Sequence, residues 1–255
     1  MQWGDTVQRN LLITLRYDGK NYHGWQIQKN ALSVQEKFQS ALYKVLGETV
    51  DIKGCSRTDS GVHAYMYCVS VKTYSQIPCI RFPLAINKFL PNDIVVTNCK
   101  EVQSDFHARY SCTGKEYVYK ILNQQIRDPF LDGYVYHYWY NLDENLLNNA
   151  AKAFIGTHDF TSFCTLDNRQ IGDFVRTVKK FTVKRKNNII EMKVSADGFL
   201  YNMVRIMVGT LLLVQRGKIS QNDIAGIIKA KNRKMAGPRA PSCGLYLNQV
   251  YYENF

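Results

Sequence analysis

The sequence predicts an α+β fold of two domains, each a mainly antiparallel sheet backed by helices. Three observations lead there. Stretches that alternate polar and apolar residues outnumber stretches with helical spacing. The two kinds recur in a similar grammar in both halves of the 255 residues. Charge is also uneven: residues 1–106 carry 12 basic and 9 acidic side chains, and residues 107–255 carry 21 and 12. A division into domains 1–106 and 107–255 follows, each of ordinary domain size. Helices sufficient to cover one sheet face only would leave the open faces looking across a central cleft, a common place for a ligand.

Each element has its own signal. Residues 11–17 set Leu11, Ile13, Leu15 and Tyr17 against Leu12, Thr14 and Arg16, a strand pattern. Ser33 and Glu36 form a capping box, in which each side chain satisfies a free backbone donor. Val34, Phe38, Ala41, Leu42, Val45 and Leu46 then follow at helical spacing, and Gly47 offers a stop. Residues 65–73 return to alternation, a short helix is expected around 83–89, and a strand over 94–102 closes the first domain. In the second, residues 116–122 alternate, and Leu146, Leu147, Ala150, Ala151, Phe154 and Ile155 trace a helical face. Residues 174–185 and 189–196 read as a hairpin around Asn187 and Asn188. Leu200, Met203, Val204, Met207, Val208, Leu211 and Leu212 form another helical stripe. Ser220 and Asp223 start a helix over 224–230, and residues 245–251 make a final strand.

Composition narrows the function classes. Hydrophobic residues at 45% and charged ones at 21% exclude a wholly disordered or fibrous chain. The longest apolar stretch, 206–214, is far short of the roughly 20 residues of a membrane span. The opening MQWGDTVQRN lacks a charged region followed by an apolar one, so no secretory leader is expected and the compartment expected is the cytoplasm. A net charge of +12 favours polyanionic partners, nucleic acid first among them. The seven cysteines are odd in number and show no CxxC spacing, so reduced, mostly buried thiols are expected and no metal site. Two runs fit a nucleic-acid backbone: residues 176–186 hold six Lys or Arg and no acid, and residues 229–239 hold five and no acid. Most such runs are solvated faces, but the first also alternates as a strand.

The densest chemical signal is GCSRTDSGVHAY, residues 54–65, which leads directly into a strand. Gly54 and Gly61 allow backbone angles barred to other residues, so this loop can present Asp59 sharply. The plain alternative is a turn whose aspartate caps its own backbone. His63 read alone is a structural hydrogen-bonder.

Further stretches stand in order around this segment: YDGKNYHGWQIQ (17–28), LPNDIV (90–95), FHARYSCTGKEYVY (106–119), GTHDFTSF (156–163), FLYNMVRIMVG (199–209) and PRAPSCGLYLNQVY (238–251). Taken together, these residues resemble the TruA family of tRNA pseudouridine synthases, over essentially the whole chain. The sequence departs from the family at Ser56 and Gln215, where glycine is usual, and neither change removes a reactive group. The resemblance implies isomerisation of uridine to pseudouridine on the 3′ side of the anticodon stem-loop of tRNA, nucleotides 38–40. It also implies a homodimer, an RNA-binding cleft and no cofactor.

The family's nucleophilic aspartate matches Asp59. A carboxylate suits a reaction that breaks the C1′–N1 glycosidic bond, rotates the uracil and rejoins it at C5, because it can add to an electrophilic carbon and later leave. Attack at C1′, addition to C6 and a glycal route all remain open. Tyr117 matches the active-site tyrosine, placed to stack on the base; by itself it is an ordinary strand residue. Arg205 matches the basic partner of the aspartate. It sits about 100° from Val204, on the flank of the apolar stripe, where the alternative is a solvated arginine. Arg57 matches the arginine beside the nucleophile, for phosphate or for the space left by a flipped base; its alternative is a loop ion pair with Asp59.

Two rival readings belong to other classes. A non-catalytic RNA-binding or chaperone module would keep the scaffold and lose Asp59 or Arg205, and both are present. A hydrolase or nuclease built on Asp59, His63 or His158 and Asp159 needs a ligand cluster that the scattered histidines do not form.

Overall fold

The computed structural model describes residues 7–165 and 172–253. The first six residues of the opening segment considered for a leader lie outside them. The chain forms two compact units, one of residues 1–113 with 247–255 and one of residues 114–246.

The first unit begins with β1 (Arg9–Tyr17), α1 (Val34–Leu46), β2 (Ile52–Gly54), β3 (His63–Thr73), α2 (Phe82–Asn87) and β4 (Ile94–Val102). Its strands lie in the order β4-β1-β3, and β1 is antiparallel to both neighbours. Leu11 faces Val71, Ile13 faces Val69 and Leu15 faces Tyr67, all buried. Phe38 and Leu42 of α1 and Phe82 and Ile86 of α2 are fully buried as well. Helix α1 starts and stops where its local chemistry dictates. The Ser33 hydroxyl accepts the Glu36 N–H at 3.2 Å, and Gly47 takes a left-handed φ of 72° to return its N–H to the Tyr43 carbonyl. Such a cap is worth about 1 kcal/mol. Leu12 is buried too, so β1 is covered on both faces over part of its length and its alternation is incomplete.

The second unit holds β5 (Cys112–Leu122) from Gly114 onward, β6 (Tyr136–His137), α3 (Glu144–Ala151), β7 (Gly156–Asp159), β8 (Val175–Lys186), β9 (Ile189–Ala196), α4 (Met203–Gln215) and α5 (Asp223–Lys229). The last strand, β10 (Leu245–Tyr252), begins there and continues into the first unit. The order β5-β9-β8-β7 is antiparallel throughout, with β6 pairing parallel to β5 for two residues. Helix α3 turns Leu147, Ala150 and Ala151 inward and packs on β8 and α4. At α5 the Asp223 carboxylate accepts the Ser220 N–H at 2.7 Å and the Ser220 hydroxyl accepts the Asn222 N–H at 3.2 Å. The capping pair is present, but Asn222 occupies the cap position.

The fold is mixed α and β with mostly antiparallel strands, as the alternation predicts. The unit boundaries differ from the expected 1–106 and 107–255. Residues 107–113 stay with the first unit because the Ala108 N–H reaches the Ser70 hydroxyl (3.0 Å) and its carbonyl accepts the Tyr252 hydroxyl (2.8 Å). The Phe106 and Tyr252 rings lie 5.2 Å apart, and β10 runs beside β3. A charge shift along the chain carries no sign of a strand that returns. Helix α4 also departs from expectation: all residues from Met203 to Leu212 are buried, where a single apolar stripe was expected. Among the described residues no helix is long and apolar enough to cross a membrane.

Candidate active site

The loop between β2 and β3 is built on aromatic rings. Trp25 stacks on Tyr67 at 4.1 Å, and Tyr17 and Phe38 pack against this pair. The polar edges of these rings grip the loop. The Tyr17 hydroxyl hydrogen-bonds Thr58 Oγ1 (2.8 Å) and the Tyr67 hydroxyl donates to the Ser56 carbonyl, while the backbone N–H of Trp25 donates to the Thr58 carbonyl (3.2 Å). Past Asp59, the Gly61 N–H bonds the Tyr22 carbonyl (3.1 Å), and the Val62 N–H closes the turn on the Asp59 carbonyl (3.2 Å). Thr58 is therefore buried and held on both sides, Asp59 is half-buried, and Arg57 is exposed.

The segment between β1 and α1 passes this loop at backbone contact. A Cβ added at Gly19 would overlap the Val62 carbonyl oxygen, and one at Gly24, whose φ is 89°, would overlap the Thr58 carbonyl oxygen. These two glycines position the Asp59 turn, and residue-level reasoning assigned them no role. The signal available was their placement in YDGKNYHGWQIQ, on either side of Tyr22 and just ahead of Trp25.

His63, 2% exposed, is a structural residue. Its Nδ1 lies 3.0 Å from Asp18 Oδ1 and 3.1 Å from the Gly19 N–H, and serves one of them at a time according to its protonation. Tyr22 donates to Asp93 Oδ1 at 2.6 Å; burial, and then that bond, push its hydroxyl pKa up. His158 bonds the Ile155 carbonyl, and Asp159 receives Lys231 Nζ at 2.8 Å and the Thr161 hydroxyl at 2.6 Å. That pair ties down a turn. No group of three or more His, Cys, Asp or Glu among the described residues is arranged to hold a metal ion.

In the second unit, Tyr117 lies on β5 opposite Val194, is 6% exposed, and meets Phe199 edge-on at 5.0 Å. Tyr119 shares its face and donates to the Pro241 carbonyl at 2.7 Å. Arg205, in the first turn of α4, is buried at 8% exposure, which removes the solvated alternative. Its Nε donates to the Ala240 carbonyl (2.8 Å) and its Nη1 to Asn202 Oδ1 (3.1 Å), while its own carbonyl accepts the Ala240 N–H (3.0 Å). Asn202 sits just before the helix at a left-handed φ of 62°, which asparagine tolerates better than most residues, and its amide also reaches Thr165 Oγ1 (3.0 Å). Close approach fixes the strap that Arg205 holds. A Cβ at Gly209 would overlap the Pro238 carbonyl oxygen, and one at Gly237 would stand 2.5 Å from the Thr210 nitrogen. The guanidinium is thus aimed by backbone contacts that only glycine permits.

The basic strand β8 divides its charges. Lys179, Lys180, Lys184 and Lys186 are exposed. Arg185 turns inward instead, to Glu144 Oε2 (3.0 Å), the Leu142 carbonyl (2.6 Å) and Asn123 Oδ1 (3.1 Å). Arg185 is a structural cation.

The structure gathers Arg57 and Asp59 on one loop of the first unit and places Tyr117 and Arg205 in the second. A family model described as tRNA pseudouridine synthase matches residues 13–111 and 150–253. The chain belongs to the tRNA pseudouridine synthase family. The match includes Arg57, Asp59 and Arg205, while Tyr117 lies between its two spans. Among synthases of known name, tRNA pseudouridine synthase A of Ruminiclostridium cellulolyticum is 47% identical over 245 residues, covering 96% of this chain and all of that one. That of Thermoanaerobacter pseudethanolicus is 46% identical over 244 residues, with the same coverage. tRNA pseudouridine synthase A 2 of Clostridium tetani is 44% identical over 248 residues, again covering 96% and 100%.

Proposed function

We propose that this chain isomerises uridine to pseudouridine in the anticodon stem-loop of tRNA, as a cytoplasmic homodimer, with Asp59 as the nucleophile. The observation that carries the reading is the Asp59 turn itself. In a chain that matches synthases over 96% of its length, a half-buried carboxylate stands on a loop fixed from both sides. A carboxylate that adds to a carbon must be held against recoil and must leave again. Fixing Thr58 holds the Asp59 turn in place and meets the first need, and the modest basicity of a carboxylate meets the second.

The other residues take parts that their surroundings allow. Arg205, buried and aimed by Ala240 and Asn202, supplies a cation for the carboxylate chemistry. Buried arginine keeps its charge and its planar fork, so lysine is a poor substitute. Tyr117 offers a ring for the target base to stack on, and exposed Arg57 offers a guanidinium for phosphate or for the stack that a flipped base leaves.

Nucleotide-resolution pseudouridine mapping on total tRNA, with the wild type and Asp59→Asn side by side, tests this. The wild type should modify the 3′ side of the anticodon stem-loop. Asp59→Asn should make no pseudouridine while binding tRNA near the wild-type level, because phosphate contacts dominate affinity. A folded Asp59→Asn protein that still forms pseudouridine at a substantial rate removes Asp59 from the nucleophile role. Sedimentation of the same samples reads the oligomeric state.

A further inference from the structure

Arg9 opens β1 and ties together a corner of the first unit at the end of the strand opposite Tyr17, which holds the Asp59 loop. Its Nη1 holds the carbonyls of Ser75 (3.0 Å) and Ile77 (3.1 Å), its Nε pairs with Glu101 Oε2 (2.9 Å), and its Nη2 donates to Cys79 Sγ at 3.5 Å. Cys79 stands in the turn before α2 and is half-buried. Cys99, on β4 opposite Ile13, is 7% exposed, and its thiol lies against that of Cys79 within side-chain hydrogen-bonding reach. Partial exposure beside a guanidinium is the setting reactive cysteines share, and a second thiol at hand is what redox-active ones add.

We propose that Cys79 and Cys99 form a peroxide-reactive pair, with Cys79 the attacking sulfur and Cys99 the resolving one. In the first step the Cys79 thiolate attacks one oxygen of hydrogen peroxide. The O–O bond breaks, and the departing hydroxide takes up a proton to leave as water. Cys79 is then a sulfenic acid. In the second step the Cys99 sulfur attacks the Cys79 sulfur, and the S–O bond breaks. The hydroxide released combines with the Cys99 proton as a second water. Two thiols and one peroxide thus become one disulfide and two waters.

The order of attack follows from the surroundings. Burial first, and then the facing Cys79, push the Cys99 thiol up, so the more exposed Cys79, with Arg9 beside its sulfur, is the one that attacks. Oxidation of Cys79 to a neutral sulfenic acid removes that opposing charge and leaves Cys99 facing Arg9, with Glu101 as the counterweight. The finished bond would fasten the turn before α2 to β4, two segments now linked through Arg9.

Treating the full-length protein with hydrogen peroxide and mapping its tryptic peptides without reduction tests the pair. The expected product joins residues 73–81 to residues 89–100 and is two hydrogens lighter than the separate peptides. In Cys99→Ser, dimedone should trap a sulfenic acid at Cys79, and in Cys79→Ser neither the bond nor the adduct at this corner should form. Arg9→Gln should slow the reaction about tenfold if the guanidinium favours the attacking thiolate. The wild-type map decides the pairing without any variant. A map in which Cys79 stays reduced while Cys112 or Cys243 is oxidised overturns the proposal, and so does a Cys99→Ser protein that is labelled first at another cysteine.

Discussion

At Gly24 a methyl group has nowhere to go: φ is 89° and the Thr58 carbonyl stands where the Cβ would be. Gly24→Ala should therefore push the Thr58–Asp59 turn away from Trp25. Backbone strain and overlap together should cost about 2–4 kcal/mol, read from the melting curve. Well below the melting temperature, kcat should still fall about 100-fold, the scale of loss that a 1 Å misplacement causes. Gly47 supplies the control. It too has positive φ (72°), but nothing lies within 4 Å of an added Cβ, so Gly47→Ala should cost about 1–2 kcal/mol and leave kcat unchanged. Equal losses of kcat in both would mean that strain alone, and not the Asp59 turn, is being measured. The shared loop of Asp59 and Arg57 was legible from its glycines, while the parts proposed for the two side chains came from the family resemblance and not from the loop. Gly24 was not legible, because its role depends on which distant backbone passes it. Arg205 was half legible: periodicity placed it on a flank, but only the strap around Ala240 explains its burial.

Single elements show where local signals suffice. Helix α1 and strand β4 lie where their patterns place them, since caps and alternation are local facts. Strands β2, β6 and β7 have three, two and four residues, too few for an alternation to be seen. The end of β7 carries a test of its own. Burial works against the charge of Asp159, but hydrogen bonds from Lys231 and Thr161 outweigh it and hold the carboxyl below its usual range. With the folded pKa lower than the unfolded one, the stabilisation is complete above about pH 4 and is lost as pH falls through the folded value. Asp159→Asn should thus melt below the wild type at pH 7, and the gap should shrink by pH 3. The size of the gap is limited by the solvent that reaches Lys231. A gap that is the same at both pH values would mean that the Lys231 pair contributes nothing and that only the turn geometry was lost.

For the molecule as a whole, the net charge of +12 is the property that meets tRNA first. Changing Lys179, Lys180 and Lys184 together to Gln should weaken tRNA binding and flatten its salt dependence. Each lost phosphate contact should lower the slope of log K against log salt by about 0.7–0.9. An unchanged slope would turn this strand away from the RNA. Arg185→Gln should act differently, lowering stability through Glu144 and Leu142 and leaving the slope alone. Composition revealed this charge but not how the chain divides, because the division depends on β10 running back beside β3. That return also sets the order of events in a cell. Among the described residues, strand β3, which leads out of the Asp59 loop, has only the three residues of β2 along one edge until β10 arrives. A ribosome delivers β10 after every other strand of both units. The nascent chain therefore holds the Asp59 loop on an unfinished sheet until β10 has been made.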